Sequence, residues 1–461
     1  MSAPEAPLRI AYLVYRGNPH CGGQGVYTRY LARELTELGH QITVFSGPPY
    51  PDLVHPGQLE EVRSLDLYRP ENPFRIPWPW EFRSSIDLRE FAIMCAAGFP
   101  EPYAFSMRVR RLLRGRRADF DLVHDNQCFG RGLVAMMERD GWPVLSTLHH
   151  PITVDRDLDL AHATNASRRW TLRRWYGFLD MQIEVARRIP RHVTVSESSR
   201  RDIAAQMGVP IERLHVVPVG VDPSVFGPRP HIAKVPGRLM TTASADVPMK
   251  GLAPLLEALA KVRTEVPEAH LIVIGKPKAK SRIPALIDRL GVSDAVEFVS
   301  GVTTERIVEL YAEAEVACVP SLYEGFSLPA VEAMACAVPV VGTTGGAVPE
   351  VIGNDGETGL LVPPGDPDAL ATAIRRALGD AELRARIGRA GQARALAQFT
   401  WRQTALGTVE QYRALLDDAS AAEPWPDGRE GGAERPMKPS AAEPWPDGRE
   451  GGAERPMKPS A

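Results

Sequence analysis

Short hydrophobic runs rich in β-branched residues alternate with amphipathic helical patterns along most of the chain. The first run, LRIAYLVY at residues 8–15, is apolar almost throughout and predicts a buried strand. Residues 26–38 then repeat apolar positions at helical spacing up to Gly39, a helix-stop residue, and residues 40–46 return to a strand pattern. This alternation of strand and helix is typical of parallel α/β layers.

The alternation is interrupted at the Pro- and Gly-rich stretch of residues 227–237. Before it, further strands are predicted at residues 120–125, 143–150, 192–197 and 214–222. After it, a new series of strand patterns begins with RLMTTAS, HLIVIGK, AVEFVSG, VACVPS and VPVVGT. We therefore predict two doubly wound, Rossmann-like domains, residues 1–225 and 226–399. Their ligand site should be the cleft between the carboxyl ends of their strands.

The C-terminal region contains one more helical pattern and then a repeat. Residues 400–418 are amphipathic with Thr400 as a suitable N-cap, and we expect this helix to pack back on the first domain. Residues 420–439 recur identically as residues 440–459. Their content of Pro, Gly and Glu cannot bury enough apolar area to offset chain entropy. The sequence therefore predicts that residues 419–461 are disordered.

Composition narrows the class of protein. The 461 residues are 44% hydrophobic and 24% charged, which is ordinary for folded domains and excludes wholesale disorder. The 54 Lys+Arg and 57 Asp+Glu residues give a net charge of −3, which offers no global support for nucleic-acid binding. We find no signal-peptide pattern, no run of the ~18 apolar residues that a membrane span needs, and five scattered cysteines that fit reduced thiols. We expect a cytoplasmic protein without a nucleic-acid partner.

A glycine-rich loop, PHCGGQGVY, follows the first predicted strand and precedes a helix. Its backbone N–H groups at Gly22 and Gly23, with the helix N-terminus, can bind an anion such as phosphate. The dinucleotide pattern G-x-G-x-x-G is absent, because Thr28 stands three residues after Gly25, and the second strand ends in Ser46 instead of an acid. The nucleotide-binding pattern G-x-x-x-x-G-K-[ST] is absent too. Hydride-transfer, kinase and NTPase activities therefore lose their main support.

The segment SLYEGFSLPAVEAMACAVPVVGTTGGAVPEVI carries the most informative pattern. Glu324 follows a predicted strand, and Glu332 lies in the following helix, for which Ser327 is the predicted N-cap. N–H groups from Phe326 to Leu328 would face an anion, and carboxylates accept hydrogen bonds from vicinal hydroxyl groups. Two carboxylates beside a phosphate site predict the binding of a nucleotide-sugar.

At these residues the sequence resembles the retaining glycosyltransferases of family 4, which have the GT-B fold. The E-x7-E element of that family reads here as Glu324-Gly-Phe-Ser-Leu-Pro-Ala-Val-Glu332. The resemblance extends over residues 8–418. Its other matching segments are the Gly22-Gly23 loop, residues 195–200, residues 218–222, Met249-Lys250-Gly251, residues 345–350 and residues 356–365.

The resemblance implies a role for each matching residue. Glu324 would contact hydroxyl groups of the donor sugar, and Glu332 would bind the ribose hydroxyls of the nucleotide. Lys250 fits the lysine that binds the diphosphate, where its ammonium group would stabilise charge on the leaving group. The remaining donor-binding positions are Gly22, Gly23, Gly325, Phe326, Ser327 and Leu328.

The family histidine that reaches the donor sugar fits His149, at the end of the predicted strand 143–150. His150 is its neighbour, and strand alternation points the two side chains to opposite faces. Spacing does not separate them decisively, and we choose His149 as the third catalytic residue with Glu324 and Lys250. His124 and Asp125 end an earlier strand facing the same cleft, where structural hydrogen bonding is the favoured role.

The sequence departs from the family just before Lys250, where the family usually has an Arg. Residues 242–247 contain no cation, so phosphate neutralisation is weaker, or Lys276 or Lys278 replaces the Arg. The resemblance implies transfer with retention at the anomeric carbon, in which the leaving phosphate accepts the acceptor proton. A double displacement at a carboxylate stays open. We expect neither a metal nor a cofactor, since the nucleotide-diphosphate sugar is a substrate.

The acceptor is the least defined part of the prediction. Residues 72–105 are rich in aromatic side chains, and residues 108–117 contain six Arg and no acid. One interpretation is peripheral membrane contact through residues 72–117, at the inner face of the membrane, beside the mouth of an acceptor site that takes a lipid-linked or other glycan. The other is a solvated basic helix face under a loop. Asp155 is a further candidate for the acceptor cleft.

The main hypothesis is therefore a retaining, hexosyltransferase-type glycosyltransferase that uses a UDP- or GDP-linked sugar. Two alternatives stay open. One is a non-catalytic nucleotide-sugar-binding partner subunit, against which the intact Glu324, Glu332 and Lys250 argue, although the missing Arg keeps it open. The other is a GT-B nucleotide-sugar epimerase.

Overall fold

Two parallel β-sheets, each covered by helices, form the part of the chain that the computed structural model describes. The described residues are 6–18, 23–69, 71–161, 163, 165–242, 247–277 and 281–421. Among the positions singled out above, Gly22, Lys278 and nearly all of the duplicated tail (422–461) lie outside them. So do residues 243–246, where the family Arg is missing.

The first sheet has seven parallel strands within the described residues, in the order β3-β2-β1-β4-β5-β6-β7. The strands are β1 (Arg9–Val14), β2 (Gln41–Ser46), β3 (Leu59–Glu61), β4 (Leu122–Asn126), β5 (Val144–Leu148), β6 (Arg191–Thr194) and β7 (Leu214–Val216). Strands β4 and β5 are buried at every position, as expected for parallel strands covered on both faces. The strand order reverses between β1 and β4, which places the ligand crevice at their carboxyl ends.

Helices connect these strands on both faces of the first sheet. They are α1 (Gln24–Glu37), α2 (Ser85–Cys95), α3 (Glu101–Leu113), α4 (Arg131–Asp140), α5 (Thr153–Ala161), α6 (Ala166–Trp175), α7 (Phe178–Arg188) and α8 (Glu197–Met207). Helices α4 and α8 each end at a left-handed glycine, Gly141 and Gly208, a conformation that costs glycine little.

The second sheet has six parallel strands within the described residues, in the order β10-β9-β8-β11-β12-β13. The strands are β8 (Arg238–Thr242), β9 (His270–Ile274), β10 (Val296–Val299), β11 (Val316–Val319), β12 (Val340–Thr343) and β13 (Leu360–Val362). The helices are α9 (Leu252–Arg263), α10 (Ile283–Leu290), α11 (Thr304–Glu313), α12 (Leu328–Ala335), α13 (Val348–Ile352), α14 (Pro367–Gly379) and α15 (Ala381–Gln398). The order reverses between β8 and β11, and the predicted pair of doubly wound layers is confirmed.

The last described helix, α16 (Trp401–Ala421), returns to the first sheet. Thr400 Oγ1 accepts the N–H of Gln403, as expected of an N-cap residue. Trp401 and Tyr412 are buried in the same core cluster as β1. The helix continues three residues beyond the predicted range 400–418, so it includes the start of the segment that the sequence predicts to be disordered. None of the described helices is long and apolar enough to cross a bilayer.

Candidate active site

A tight backbone approach places Lys250 at the carboxyl edge of the second sheet. Residues 248–250 form a 3-10 turn that ends at Gly251, whose φ is 67°. A Cβ atom at Gly251 would lie 1.9 Å from the carbonyl oxygen of Pro320, just after β11. Leu322 N–H also donates to the Met249 carbonyl at 2.7 Å. The turn therefore holds Lys250 against the loop between β11 and α12.

Lys250 and Glu324 form an ion pair in this loop. Lys250 Nζ lies 2.7 Å from Oε1 and 3.0 Å from Oε2 of Glu324, and Ser321 Oγ donates to Oε1 at 2.7 Å. The Glu324 side chain is only 9% exposed. Gly346 (φ 61°) packs so closely that a Cβ there would lie 2.3 Å from the Glu324 carbonyl. The E-x7-E loop is thus fixed on both sides by glycines.

The N-terminus of α12 contains a buried hydroxyl group that the helix does not use. Ser327 occupies the predicted N-cap position, but its side chain makes no capping hydrogen bond. Its Oγ atom is buried and has no hydrogen-bond partner among the described residues. Because helix N-termini favour anions, this end of α12 suits a phosphate or sugar oxygen.

Glu332 lies one turn into α12, where the residue is half-buried. Tyr311 OH lies 3.4 Å from Glu332 Oε2 and 3.3 Å from the Pro329 carbonyl. Burial raises the pKa of Glu332 to about 7. A buried carboxyl group with few protein partners can accept hydrogen bonds from a ligand's hydroxyl groups.

A chain of hydrogen bonds fixes the His149 ring. Thr28 Oγ1 donates to the Gln24 carbonyl at 2.7 Å, so it accepts from Asn126 Nδ2 at 3.3 Å. Asn126 Oδ1 therefore faces His149 Nε2 at 2.7 Å, and this nitrogen carries the proton. The remaining ring nitrogen, Nδ1, is then a hydrogen-bond acceptor. Gln127 adds a bond from the His149 N–H to its Oε1 at 2.7 Å.

The two adjacent histidines occupy different environments. Burial lowers the pKa of His149 to about 3, and its ring packs edge-on against Tyr27 at 4.8 Å between centroids. His150 is exposed, and its Nε2 lies 3.0 Å from Asp155 Oδ2. His149 is therefore the neutral, fixed imidazole of the two, while Asp155 is paired with His150 at the surface.

Direct contacts join the two sheets around this site. Ser196 Oγ donates to the Gly325 carbonyl at 2.7 Å, and Ser199 Oγ lies 3.1 Å from that carbonyl and 3.3 Å from the His149 carbonyl. The Glu350 carboxylate of α13 accepts the N–H groups of Glu197 and Ser198 at 2.7 Å each. The structure thus brings His149 of the first sheet to the Glu324 loop of the second.

The other predicted positions are more scattered. Gly23 caps α1 with φ 58°, and Lys276 is exposed just after β9. His124 does not face the cleft as expected, because its ring is fully buried between Thr147 Oγ1 at 2.7 Å and Tyr412 OH at 2.6 Å. Asp125 is also buried and accepts two N–H groups of the following loop through Oδ2. No group of three or more metal-binding side chains occurs in the described ranges.

Several residues of the site have no motif in the sequence. Asn126, Tyr27 and Tyr311 orient His149 or Glu332 through contacts between distant segments. A signal existed only for Asn126, which directly follows His124 and Asp125 at the carboxyl end of a predicted strand.

Comparisons with known proteins agree with this architecture. Residues 21–225 match the family described as Glycosyltransferase Family 4, and residues 230–394 match Glycosyl transferases group 1. Together these matches cover most of both sheets. The chain is 49% identical, over 418 residues, to the MMP alpha-(1->4)-mannosyltransferase of Mycolicibacterium hassiacum, covering 90% of this chain and all of that protein.

More distant relatives extend the pattern. The chain is 28% identical to the D-inositol 3-phosphate glycosyltransferase of Kineococcus radiotolerans, over 89% of this chain and 94% of that protein. The sucrose-phosphate synthase of Thermosynechococcus elongatus superposes with a TM-score of 0.67 at 24% identity, covering 89% of this chain and all of that structure. The predicted family and fold are confirmed: the chain is a glycosyltransferase that belongs to glycosyltransferase family 4 and has the GT-B fold.

Proposed function

We propose that this glycosyltransferase moves a mannosyl unit from a nucleoside diphosphate sugar to a hydroxyl group of a saccharide acceptor, with retention at the anomeric carbon. The name of the relative at 49% identity specifies a mannosyl unit and an α-(1→4) bond. The second locant of such a bond belongs to a sugar ring of the acceptor. A saccharide acceptor is therefore the simplest extension to this chain.

The Lys250–Glu324 pair at the N-terminus of α12 is the observation that carries the proposal. A cation and a helix N-terminus together favour a diphosphate at this point. The buried Glu324 and Glu332 carboxyl groups provide acceptors for hydroxyl groups on either side of it. This combination suits a ligand with sugar hydroxyls at both ends of a diphosphate.

The proposed reaction is the retaining transfer that the resemblance to the family implies, and these placements are compatible with it. The bond between the anomeric carbon and the phosphate oxygen breaks, and its electron pair goes to the phosphate. The acceptor oxygen attacks the same face and passes its proton to that leaving oxygen, so the protein needs no nucleophile. Lys250 stabilises the charge that develops on the diphosphate, and Glu324 orients the sugar. Neutral His149 accepts a hydrogen bond from a sugar hydroxyl through Nδ1.

Lys276 is the described candidate for the missing phosphate-binding cation. It is exposed just after the carboxyl end of β9, the edge of the sheet at which Lys250 lies. Long-range attraction to a diphosphate would add to that of Lys250. Lys276→Ala should weaken donor binding at low salt, and an unchanged donor affinity would remove Lys276 from the site.

A donor panel with product analysis tests the function. The protein is incubated with GDP-mannose, UDP-glucose and other nucleotide-sugars, with and without an α-(1→4)-linked mannobiose acceptor, and nucleoside diphosphate release is measured. We expect acceptor-dependent release with a mannosyl donor and an α-linked product by NMR. A β-linked product would refute retention, release without acceptor would indicate an epimerase or hydrolase, and binding without release would indicate a non-catalytic subunit.

Donor binding can be measured separately by thermal unfolding. A ligand at 100 times its dissociation constant stabilises a folded protein by ~2.7 kcal/mol. Lys250→Met is the matched variant, since it removes the ammonium group but keeps a side chain of similar length. The stabilisation by a nucleoside diphosphate should decrease in this variant.

A further inference from the structure

A surface segment of the first domain, residues 74–80, exposes large apolar side chains at alternate positions. Phe74, Ile76, Trp78 and Trp80 are each between 60% and 80% exposed. Arg75, between the first two, is buried. Pro77 is buried as well, so the side chains that face solvent alternate with buried ones from Phe74 to Trp78, and the 3-10 turn Pro79–Glu81 then exposes Trp80. Large exposed apolar surfaces of this kind mark interaction sites. We call residues 74–80 the aromatic platform.

Internal hydrogen bonds hold the aromatic platform in place. Arg75 donates to the Leu65 carbonyl at 2.6 Å and to Glu81 Oε1 at 2.7 Å. Glu81 Oε2 accepts the Trp78 N–H at 2.7 Å, and the Glu81 carbonyl accepts from Arg63 at 2.7 Å. The indole rings are therefore displayed by an ordered segment, and a ligand would bind without first having to order it.

The two tryptophans stack face to face and leave one outer ring face each. Their ring centroids lie 5.0 Å apart and their planes differ by 6°, so each indole covers one face of the other. The outer faces stay available because Trp78 and Trp80 are 62% and 69% exposed. A pyranose ring carries C–H groups on its faces and hydroxyl groups at its rim. It can place its C–H face on an indole while its hydroxyl groups stay in water.

The charges around the aromatic platform favour a neutral ligand over an anionic bilayer. The basic run at residues 108–117 suggests a membrane patch in the sequence, but three of its six arginines are engaged by carboxylates. The pairs are Arg108 with Asp87 and Glu90, Arg110 with Asp140, and Arg116 with Glu60 and Asp119. Attraction to anionic lipid depends on cations that are free to face it. Pairing with carboxylates therefore removes half of the arginines that could attract anionic lipid. Binding of a neutral saccharide does not depend on free cations.

Packed aromatic rings connect the platform to the cleft. Phe74 contacts Tyr68 at 5.4 Å between centroids, Tyr68 contacts Phe99 at 5.4 Å, and Phe99 contacts Tyr15 at 6.5 Å. Tyr15 directly follows β1 at the carboxyl edge of the first sheet, where the crevice lies. The platform is thus several ring contacts away from the carboxyl edge of the first sheet, so a ligand that reaches both must be longer than one sugar.

We propose that the aromatic platform binds non-reacting sugars of an oligosaccharide acceptor while its terminal sugar occupies the cleft. This inference rests on the proposed function, because it requires a saccharide acceptor. Stacking of one or two sugars on Trp78 and Trp80 makes the affinity for the acceptor increase with its length. The platform is then a determinant of acceptor-length specificity outside the reaction centre.

The kinetic test compares short and long acceptors in the double variant Trp78→Ala/Trp80→Ala. For an α-(1→4)-linked mannohexaose we expect KM to rise roughly thirtyfold, since two aromatic contacts of about 1 kcal/mol each correspond to that factor. Both kcat and KM for methyl α-mannoside should stay unchanged. Trp170→Ala is the matched control, because Trp170 is equally exposed on α6 outside the platform. An equal KM for mannohexaose in the double variant and wild type would overturn the proposal.

A binding test separates this proposal from the proposed function, because it needs no donor and no turnover. Mannohexaose is titrated into the full chain and each variant and followed by tryptophan fluorescence and calorimetry. Binding that is lost in the double variant and kept in Trp170→Ala supports the platform, even if the donor is not a mannosyl nucleotide. Absence of mannohexaose binding to the wild type overturns it. The proposal is also overturned if sedimentation with phosphatidylglycerol vesicles depends on Trp78 and Trp80 but mannohexaose binding does not depend on them.

Discussion

Lys250 Nζ contacts both carboxylate oxygens of Glu324, at 2.7 and 3.0 Å, and so joins the turn before α9 to the loop before α12. Glu324 is buried, whereas about a third of the Lys250 side chain is exposed to the cleft. A diphosphate that binds Lys250 must therefore share its ammonium group with Glu324. Because of this competition, substitutions of Lys250 and of Glu324 should affect diphosphate binding differently, although both should slow the transfer.

Lys250→Met and Glu324→Gln should both lower kcat, each by roughly 10² to 10³, because each removes a fixed electrostatic partner of the transition state. Their effects on nucleoside diphosphate binding should differ. Lys250→Met should weaken it, while Glu324→Gln should leave it unchanged or tighten it, since the ammonium group is released. Steady-state kinetics and calorimetry measure the two effects. Lys261→Met, which breaks an exposed pair with Asp368, is the control. Equal weakening by Glu324→Gln and Lys250→Met would contradict the competition.

Gly251→Ala should displace Lys250 without touching its charge. The left-handed backbone costs an alanine ~1–2 kcal/mol, and its Cβ would also lie 1.9 Å from the Pro320 carbonyl. We expect loss of stability in urea unfolding together with loss of nucleoside diphosphate affinity. Gly291→Ala is a close control, because Gly291 has the same φ of 67° but nothing within 4 Å of the added Cβ. Gly291→Ala should lose stability alone; if it also lost ligand affinity, local placement of Lys250 would not be the cause.

Hydrophobic periodicity was sufficient to predict most strands of the fold, because a buried parallel strand is a continuous apolar run that few other structures produce. It missed β3 and β13, which have three residues each, whereas the equally short β7 was predicted because the strand pattern there continues in the sequence to residue 222. The E-x7-E element was readable because its loop, helix N-terminus and two carboxylates are consecutive in the chain. The pairing of Lys250 with Glu324 could not be predicted from the sequence, since it depends on how two segments 74 positions apart fold together.

The basic run at residues 108–117 shows what the sequence pattern alone could not predict, namely which arginines are paired. Its arginines appear uniform in the sequence, yet Arg108 is buried against Asp87 and Glu90 while Arg114 is exposed. Partners from other helices decide which cations remain free. Likewise, strand alternation separated His149 from His150 but could not say which one faces inward, because that depends on Asn126 and Tyr27.

Asn126→Asp should change the protonation of His149. In the wild type, burial lowers the pKa of His149 to about 3, so kcat/KM should show no titration of this ring between pH 5 and 8. A carboxylate 2.7 Å from Nε2 favours the imidazolium, which removes the acceptor at Nδ1. We expect a lower kcat that recovers as pH rises, with the ring state followed by ¹⁵N NMR. His150→Asn is the control at the exposed neighbour. A flat pH profile in Asn126→Asp would show that Asn126 does not set the state of the ring.

Glu350→Ala should loosen the contact between the two sheets. The Glu350 carboxylate accepts two N–H groups at the N-terminus of α8, a favourable place for a negative charge. Loss of a cap costs ~1 kcal/mol, so we expect a several-fold increase in donor KM with a small change in stability. X-ray scattering should show a larger radius of gyration. Glu357→Ala, at an exposed position of the next loop, is the control. An unchanged donor KM and radius would limit Glu350 to helix capping.

His192→Asn should flatten the acid side of the stability curve. His192 is a buried residue of β6, and its Nδ1 lies 2.6 Å from Ser146 Oγ while its Nε2 donates to the Ala186 carbonyl at 2.9 Å. Burial lowers the pKa of this ring to about 4. The unfolded chain has an ordinary histidine pKa of ~6.5, so below that pH it binds a proton that the folded chain does not. The contribution of His192 to stability is therefore complete above pH ~6.5 and is lost as the pH falls towards 4.

This loss should amount to about 1.4 kcal/mol of unfolding free energy per pH unit, which is the slope for one proton. Urea unfolding between pH 4.5 and 7 measures it, and the slope of His192→Asn should be smaller than that of the wild type by this amount. Asp125 acts with the opposite sign, because burial raises its pKa to about 7 and the folded chain then binds the extra proton. The difference between variant and wild type, not the absolute curve, therefore isolates His192. His231→Asn, at an exposed position, is the control, and equal slopes for both variants would mean that the buried ring does not set the acid limit.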